Sequence, residues 1–210
     1  ISKMMDRVKE MGQTAVAITD HGVMYGCVDF YKAAKAAGIK PIIGCEVYVC
    51  PRKMSDRVHG INNEAYHLVL LCENMKGYEN LCQIVSQAYT NGFYGKPRAD
   101  LELLEKYHEG LIALSACLAG AIPQYLMEED YNAARDYALK MSEIFGEGNF
   151  YLEIQDHGMR DDDIVNAGVR QISEKTGIPM VATNDVHYIK KADSETQAIL
   201  MCIQTNNVIT

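Results

Sequence analysis

Short β-rich runs alternate with amphipathic helical stretches along the chain, and this alternation limits the fold more than any other feature. Strands separated by helices indicate parallel βαβ units, which assemble into a barrel or a doubly wound sheet. The 210 residues suffice for one such domain, and no domain boundary is visible. The β-rich runs are AVAIT (15–19), PIIGCEVYV (41–49), HLVLLCE (67–73), LIALSA (111–116), FYLEIQ (150–155) and PMVAT (179–183). Helical patterns cover 23–37, 76–89, 121–127, 131–145, 162–176 and 194–202.

Composition excludes several functional classes. The net charge of −8 argues against a surface that wraps nucleic acid, so phosphate chemistry would act through bound cations or a few local Lys and Arg residues. The seven cysteines form no CxxC pair, which is typical of a reduced, cytoplasmic protein. No apolar run is long enough to span a bilayer, so no membrane partner is predicted.

Residue types that can bind metals cluster where the predicted strands end. In parallel α/β folds these ends converge and carry the active site. His67 differs from the others, because it opens its strand. The segments that close a strand are Asp20-His21-Gly22, Cys45-Glu46, Cys117, Asp156-His157-Gly158 and Asn184-Asp185-Val186-His187.

These residue types favour a metal centre. Asp185 and His187 are two positions apart, so on a strand both would point the same way. Imidazole and carboxylate suit Zn, Mn or Fe, and a thiolate favours zinc. Glu46 could bridge two ions, as phosphoesterase sites with two metals require.

Each residue alone also fits a plain structural role. An Asp-His pair after a strand can cap a helix, Glu46 can be a paired carboxylate on an edge strand, and Cys117 can be a small buried hydrophobic residue. His59 and His108 lie in polar contexts and are predicted to be surface residues. A single site where the strand ends converge, however, would explain all of these residues together.

The chain contains, in this order, the segments AITDHG (17–22), GCEVYV (44–49), HLVLLCEN (67–74), GFYGKPR (92–98), SACLAG (115–120) and TNDVHY (183–188). In order and spacing they resemble the PHP (polymerase and histidinol phosphatase) motifs at the start of bacterial DNA polymerase III alpha subunits. The resemblance implies a distorted seven-stranded (β/α) barrel, similar to a TIM barrel. It also implies a single PHP domain over 1–210, with 190–210 leading toward the polymerase core.

The same resemblance implies roles for particular residues. Up to three divalent ions (Zn, Mn or Fe) are expected, with Glu46, Asp185 and His187 as the catalytic residues. Asp20 and His157 would orient the ligands through hydrogen bonds. Lys96 and Arg98 would contact phosphate. The expected metal ligands are His21, Glu46, His67, Cys117, Asp185 and His187.

The family's first motif, His-x-His followed by an acidic residue, is expected before Ile1 and is absent here. We therefore expect the first barrel strand and several ligands to be missing, with fewer ions or none bound and no activity in this chain alone. A residual site would use Glu46, His67 and Cys117.

The resemblance implies part of the DNA-directed DNA polymerase of bacterial chromosome replication. In the intact protein a metal-dependent 3′–5′ proofreading exonuclease is expected, with the primer 3′ end and other polymerase III holoenzyme subunits as partners. Two alternatives stay open. The domain could be a non-catalytic module that braces the polymerase and its replisome contacts, or a free-standing phosphoesterase similar to histidinol phosphatase.

Overall fold

The computed structural model describes residues 1–57 and 65–209. The predicted surface residue His59 therefore lies outside the described residues, whereas His108 is half-buried at a helix end. The strands are β1 (Ala15–Ile18), β2 (Lys40–Val49), β3 (Tyr66–Cys72), β4 (Arg98–Ala99), β5 (Leu111–Leu114), β6 (Phe150–Ile154) and β7 (Met180–Ala182). The helices are α1 (Ser2–Glu10), α2 (Cys27–Ala37), α3 (Met75–Thr90), α4 (Leu101–Tyr107), α5 (Ala121–Met127), α6 (Tyr131–Phe145), α7 (Arg160–Thr176) and α8 (Ser194–Thr205).

The helix boundaries follow local capping chemistry. Asn74 and Asp100 accept hydrogen bonds from the first turns of α3 and α4, which satisfies backbone donors that have no partner inside the helix. Gly38 ends α2 in the left-handed conformation at φ +73°, as its glycine predicts. The sequence pattern does not predict α4, which is only seven residues long.

The strands form one seven-stranded sheet in the order β1-β2-β3-β5-β6-β7, with β4 beside β2. This arrangement confirms the predicted α/β barrel class. The expectation that all strands are parallel is wrong for β3, which pairs antiparallel with both β2 and β5. A polar stretch, and no predicted helix, separates β2 from β3, and sequential strands without a crossover helix pair antiparallel.

The direction of β3 explains the position of His67. Because β3 runs against its neighbours, its first residues lie at the edge where the other strands end. His67, the second residue of β3, therefore lies beside the ends of β1, β2 and β5.

Helices cover one face of the sheet, and a smaller apolar cluster lies on the other. The covered face packs residues such as Leu70, Ala113 and Leu152 against α3 to α7, while α1 and α2 pack against β1 and the start of β2. The opposite face carries Val69 and Leu114 in a small cluster of its own. The site described below lies on this inner face.

The sheet curls but stays open. The rings of His21, after β1, and His187, after β7, have centroids 5.6 Å apart, although these strands lie at opposite ends of the strand order. Among the described residues no strand pairing joins β1 to β7. All seven cysteines are free, and no helix in the described part of the chain has the length and apolar character needed to cross a membrane.

Candidate metal centre

Glu46 and His67 lie on the same side of the sheet because of the register between β2 and β3. His67 pairs with Tyr48, and Glu46 pairs with Val69. Alternation along the strands therefore turns Glu46, Tyr48 and His67 toward the inner face. His67 Nδ1 contacts Glu46 Oε1, and the Glu46 side chain is only 5% exposed. The carboxylate is thus buried and in direct contact with an imidazole.

His21 reaches the same carboxylate from the end of β1. A parallel bridge pairs His21 with Glu46, and the Gly22 N–H donates to the Glu46 carbonyl oxygen at 2.8 Å. His21 Nε2 lies 3.3 Å from Glu46 Oε1. Gly22 adopts φ +68°, and a Cβ there would lie 2.9 Å from the Tyr48 ring. Glycine is therefore the residue that allows this turn directly after His21.

The two histidines stabilise the negative charge of the Glu46 carboxylate. Burial alone would raise the pKa of Glu46, but the contacts and charges of His21 and His67 together outweigh burial and lower this pKa to about 2. The contact with the Glu46 carboxylate raises the pKa of His21, against the opposing effect of burial. Glu46 is consequently an anion at neutral pH, with two imidazoles directed at one of its oxygens.

This arrangement fits a divalent cation. The ligand atoms of His21, Glu46 and His67 all lie within 4.8 Å of one another. Glu46 Oε1 is buried and has no well-aligned hydrogen bond within the described residues, although two imidazole nitrogens face it. Two imidazoles and a carboxylate form a donor set that suits Zn, Mn or Fe. A cation among these three groups would satisfy the buried oxygen.

Cys117 approaches from the end of β5. Its Sγ atom lies 3.8 Å from His67 Nδ1. Burial raises the pKa of the Cys117 thiol to about 11, so a cation that binds it must displace a proton. Cys117 lies outside the group within 4.8 Å. The tightest group in the described chain thus contains His21, where the sequence led us to expect Cys117.

Asp185 and His187 face this group from the other end of the sheet. The structure differs from the expectation that they share a strand, because β7 ends at Ala182 and Asp185 turns the chain at φ +41°. His187 Nδ1 lies 2.8 Å from the Asp185 backbone oxygen and 3.8 Å from its Oδ1. The structure therefore brings His187 close to His21 through a loop, while neither residue joins the tightest group.

The two predicted orienting residues act at different places. His157 Nε2 lies 3.3 Å from the carbonyl oxygen of Asn184, and its Nδ1 lies 3.9 Å from Asp162 Oδ2. His157 therefore supports the loop that leads into Asp185. Asp20 is exposed, and its charge is one of the minor influences that raise the pKa of His21.

Lys96 and Arg98 differ sharply in environment. The Lys96 ammonium lies 4.6 Å from the centre of the Tyr48 ring, at the rim of the site. Arg98 is fully buried. Its guanidinium donates to the carbonyl oxygens of Gly92 at 3.0 Å and of Met54 at 2.9 Å. This geometry gives Arg98 a structural role and leaves Lys96 available to a ligand.

Sequence reasoning missed two residues near the site. The Tyr48 ring packs edge-on against His67, with centroids 5.3 Å apart. Tyr48 lies two residues after Glu46, so strand alternation could have predicted that both side chains lie on the same face of the sheet. Glu153 is a buried carboxyl in the middle of β6, and its isolated charge inside an apolar run was the available signal.

A family model for the PHP domain matches residues 1–157. The chain belongs to the PHP domain family. This PHP domain is 45% identical over 206 residues to DNA polymerase III subunit alpha of Treponema pallidum, covering 98% of the chain and 18% of the relative. It is 40% identical over 215 residues to the same subunit of Thermus aquaticus, covering 99% of the chain and 18% of the relative. The PHP domain thus spans about a fifth of the length of these relatives.

Among solved structures, an amidohydrolase from Chromobacterium violaceum aligns with 89% of the PHP domain and 81% of its own chain, at TM-score 0.49 and 15% identity. A similarity of this size does not identify a substrate or a reaction.

Proposed function

We propose that this PHP domain is part of a DNA polymerase III alpha subunit, a DNA-directed DNA polymerase, and that it hydrolyses phosphodiester bonds at the 3′ end of a DNA primer with the help of divalent metal ions. The group formed by His21, Glu46 and His67 carries the proposal, since a buried carboxylate between two imidazoles suits a cation. The two named relatives, which are alpha subunits, support the polymerase context.

The residues around the proposed metal site have different roles. A bound divalent cation would activate water and neutralise phosphate charge. Glu46 supplies a fixed negative charge, and its burial keeps this charge in place between His21 and His67. Cys117 and His187 lie near enough to complete the coordination of further ions. Ligation by the Cys117 thiolate would favour zinc, whereas oxygen and nitrogen ligands alone would favour Mn or Fe.

Lys96 is the residue that we assign to the DNA phosphate. Its ammonium is exposed at the rim, above the Tyr48 ring that packs on His67. An ammonium there can meet a phosphate that approaches the cation, and the aromatic ring fixes its direction. A single local cation of this kind is compatible with the overall net charge of −8.

The test uses the full-length alpha subunit that would contain this chain. Degradation of a 5′-labelled single-stranded primer is measured with added Mn²⁺ or Zn²⁺, and DNA synthesis serves as the control for folding. Glu46→Gln keeps the shape but removes the charge, so we expect exonuclease activity to fall at least about 100-fold while synthesis is retained. Glu147→Gln, an exposed carboxylate far from the site, should change neither activity. Full exonuclease activity in Glu46→Gln would contradict the proposal.

A second candidate function is mechanical support of the polymerase and its contacts with other holoenzyme subunits. Helix α8 has no buried residue, and Leu200 and Ile203 are 54% and 73% exposed. Exposed apolar side chains at this density are typical of a contact surface. Bound metal that raises the melting temperature without any exonuclease activity would favour this candidate.

The remaining features of the proposal follow from the replication role. We place the protein in the cytoplasm, with the primer 3′ end and the other holoenzyme subunits as partners. Hydrolysis of small phosphomonoesters, with no action on DNA, would instead favour a free-standing phosphoesterase.

A further inference from the structure

Glu153 is a buried carboxyl group on the inner face of the sheet, next to the candidate metal centre. It pairs with Val181 across β6 and β7 and is 5% exposed. Its Oε1 atom accepts a hydrogen bond from the Thr183 hydroxyl at 2.7 Å. Its Oε2 atom has no hydrogen-bond partner within residues 1–57 and 65–209. A buried polar atom in this state requires an explanation.

Hydrogen bonds connect Glu153 to two strand ends that lead into predicted ligands. The backbone N–H of Glu153 donates to Ser115 Oγ at 2.8 Å, and Ser115 lies two residues before Cys117. Thr183, which donates to the Glu153 carboxyl group, lies two residues before Asp185. Glu153 therefore lies between the two segments that would have to move if either ligand were displaced.

Both segments contain a strained residue. Ala116 has φ +65° and Asp185 has φ +41°, and L-residues with a side chain rarely adopt this left-handed region. Such conformations persist where surrounding contacts hold them, and they are frequent at functional sites. Contacts that fix Ser115 and Thr183 are well placed to hold these two turns.

A small cavity lies beside Glu153. Its volume of about 10 Å³ is the room of one water molecule. Cys117, Asp162 and Asn166 are among the residues that line it together with Glu153. Burial raises the pKa of Glu153, against the opposing effects of hydrogen bonds from the Thr183 hydroxyl and the Ala116 backbone.

We propose that Glu153 is a positioning residue at the metal centre. Its carboxyl group holds the Asp185 segment through Thr183 and lies beside Cys117 in a shared cavity, while its backbone N–H fixes Ser115. The purpose of this role rests on the proposed function. The role itself depends on hydrogen bonding and not on negative charge. Glutamine at this position keeps an acceptor for Thr183, whereas alanine removes it, and both variants keep the backbone donor to Ser115.

The first test measures Cys117 in the intact protein without metal. Iodoacetamide labelling of each cysteine is followed by peptide mass spectrometry in the presence of a chelator. In Glu153→Ala we expect Cys117 to be labelled at least about tenfold faster. The variant frees the Thr183 hydroxyl and enlarges the cavity that Glu153 and Cys117 share, and both changes favour local opening, although the backbone bond to Ser115 remains. In Glu153→Gln the rate should stay within about twofold of the wild type. The buried thiols of Cys45 and Cys50 report on the global fold in the same sample.

Two results would overturn the proposal. One is an unchanged Cys117 rate in Glu153→Ala, and the other is equal acceleration in Glu153→Gln and Glu153→Ala. If Glu153→Ala also exposes Cys45, then Thr183→Val decides. It removes the hydroxyl that donates to Glu153 and accepts from Gln155, and it leaves the Glu153 side chain in place. Faster Cys117 labelling with Cys45 protected supports the proposal in that variant, and an unchanged rate overturns it.

A second readout uses Co²⁺, whose thiolate charge-transfer absorption depends on ligation by Cys117 and disappears in Cys117→Ser. Glu153→Ala should weaken Co²⁺ binding about 10-fold to 100-fold and reduce this band, and Glu153→Gln should restore both. Wild-type affinity and an unchanged band in Glu153→Ala would count against the proposal. The two proposals can fail separately, because the labelling test needs neither metal nor DNA. A wild-type protein without exonuclease activity would refute the proposed function. The role of Glu153 would still be tested by the labelling rate of Cys117.

Discussion

Replacing Arg98 with methionine separates a structural role from a phosphate contact. The side chain is fully buried and donates to the carbonyl oxygens of Gly92, Met54 and Asp56 at 2.9–3.0 Å. Methionine fills much of the same volume but cannot donate a hydrogen bond. The change therefore removes these hydrogen bonds, which hold two loops beside β4.

The expected loss of stability is about 3 kcal/mol. A hydrogen bond from a charged donor contributes about 1.5–3 kcal/mol when it is fully buried. Met54 and Asp56 are only partly buried, so their carbonyl oxygens can turn to water, and about 1 kcal/mol for each of the three bonds is a suitable net value. For a chain of this length, the melting temperature should fall by about 6–12 °C.

The assay is thermal and urea unfolding of the purified chain, followed by circular dichroism with a chelator present. Lys96→Met is the matched control, because the same substitution is made two residues away at an exposed side chain. We expect Lys96→Met to change stability by less than about 0.5 kcal/mol. In the full-length subunit it should raise the exonuclease KM for single-stranded DNA.

The reasoning fails if Arg98→Met unfolds within about 0.5 kcal/mol of the wild type. An Arg98→Met variant that is fully stable and raises KM as Lys96→Met does would show that Arg98 contacts phosphate after all.

Three further predictions concern the site. Glu46 raises the pKa of His21. In the metal-free protein, the stabilisation that comes from this contact is therefore complete below pH about 6.5, and it is lost as pH rises through the raised pKa. For the same reason Mn²⁺ affinity, measured by calorimetry, should fall about tenfold per pH unit below that pKa, and a flat profile would contradict this. Gly22→Ala should destabilise the chain by about 1–3 kcal/mol in urea unfolding, because φ is +68° there; an unchanged midpoint would refute the strain. Tyr48→Leu should raise the KM for DNA about twofold to fivefold through loss of the Lys96 contact, and equal KM values would exclude that role.

Much of the site could be predicted from the sequence, because polar residues directly after apolar runs mark the ends of strands. Asp20-His21-Gly22 and Cys45-Glu46 follow apolar runs, and two parallel neighbours bring such ends together without further information. The approach of His21 to Glu46 is a direct result of this rule.

Other features depend on contacts between distant segments and could not be predicted in this way. Arg98 occurs in a loop rich in turn residues, and only the fold shows that its guanidinium lies inside the protein. The sequence around Asp185 predicts an extended strand, but the residue turns the chain. This turn depends on contacts with the neighbouring strand, which a short sequence motif does not reveal.

The open sheet also affects how the chain behaves in solution. β1 and β7 each pair with one neighbour among the described strands, and Ala17 and Ala182 on these strands are exposed. Free strand edges offer unpaired peptide groups to other molecules and promote aggregation. Self-association should therefore increase with protein concentration, and a peptide that adds a strand at either edge should suppress it.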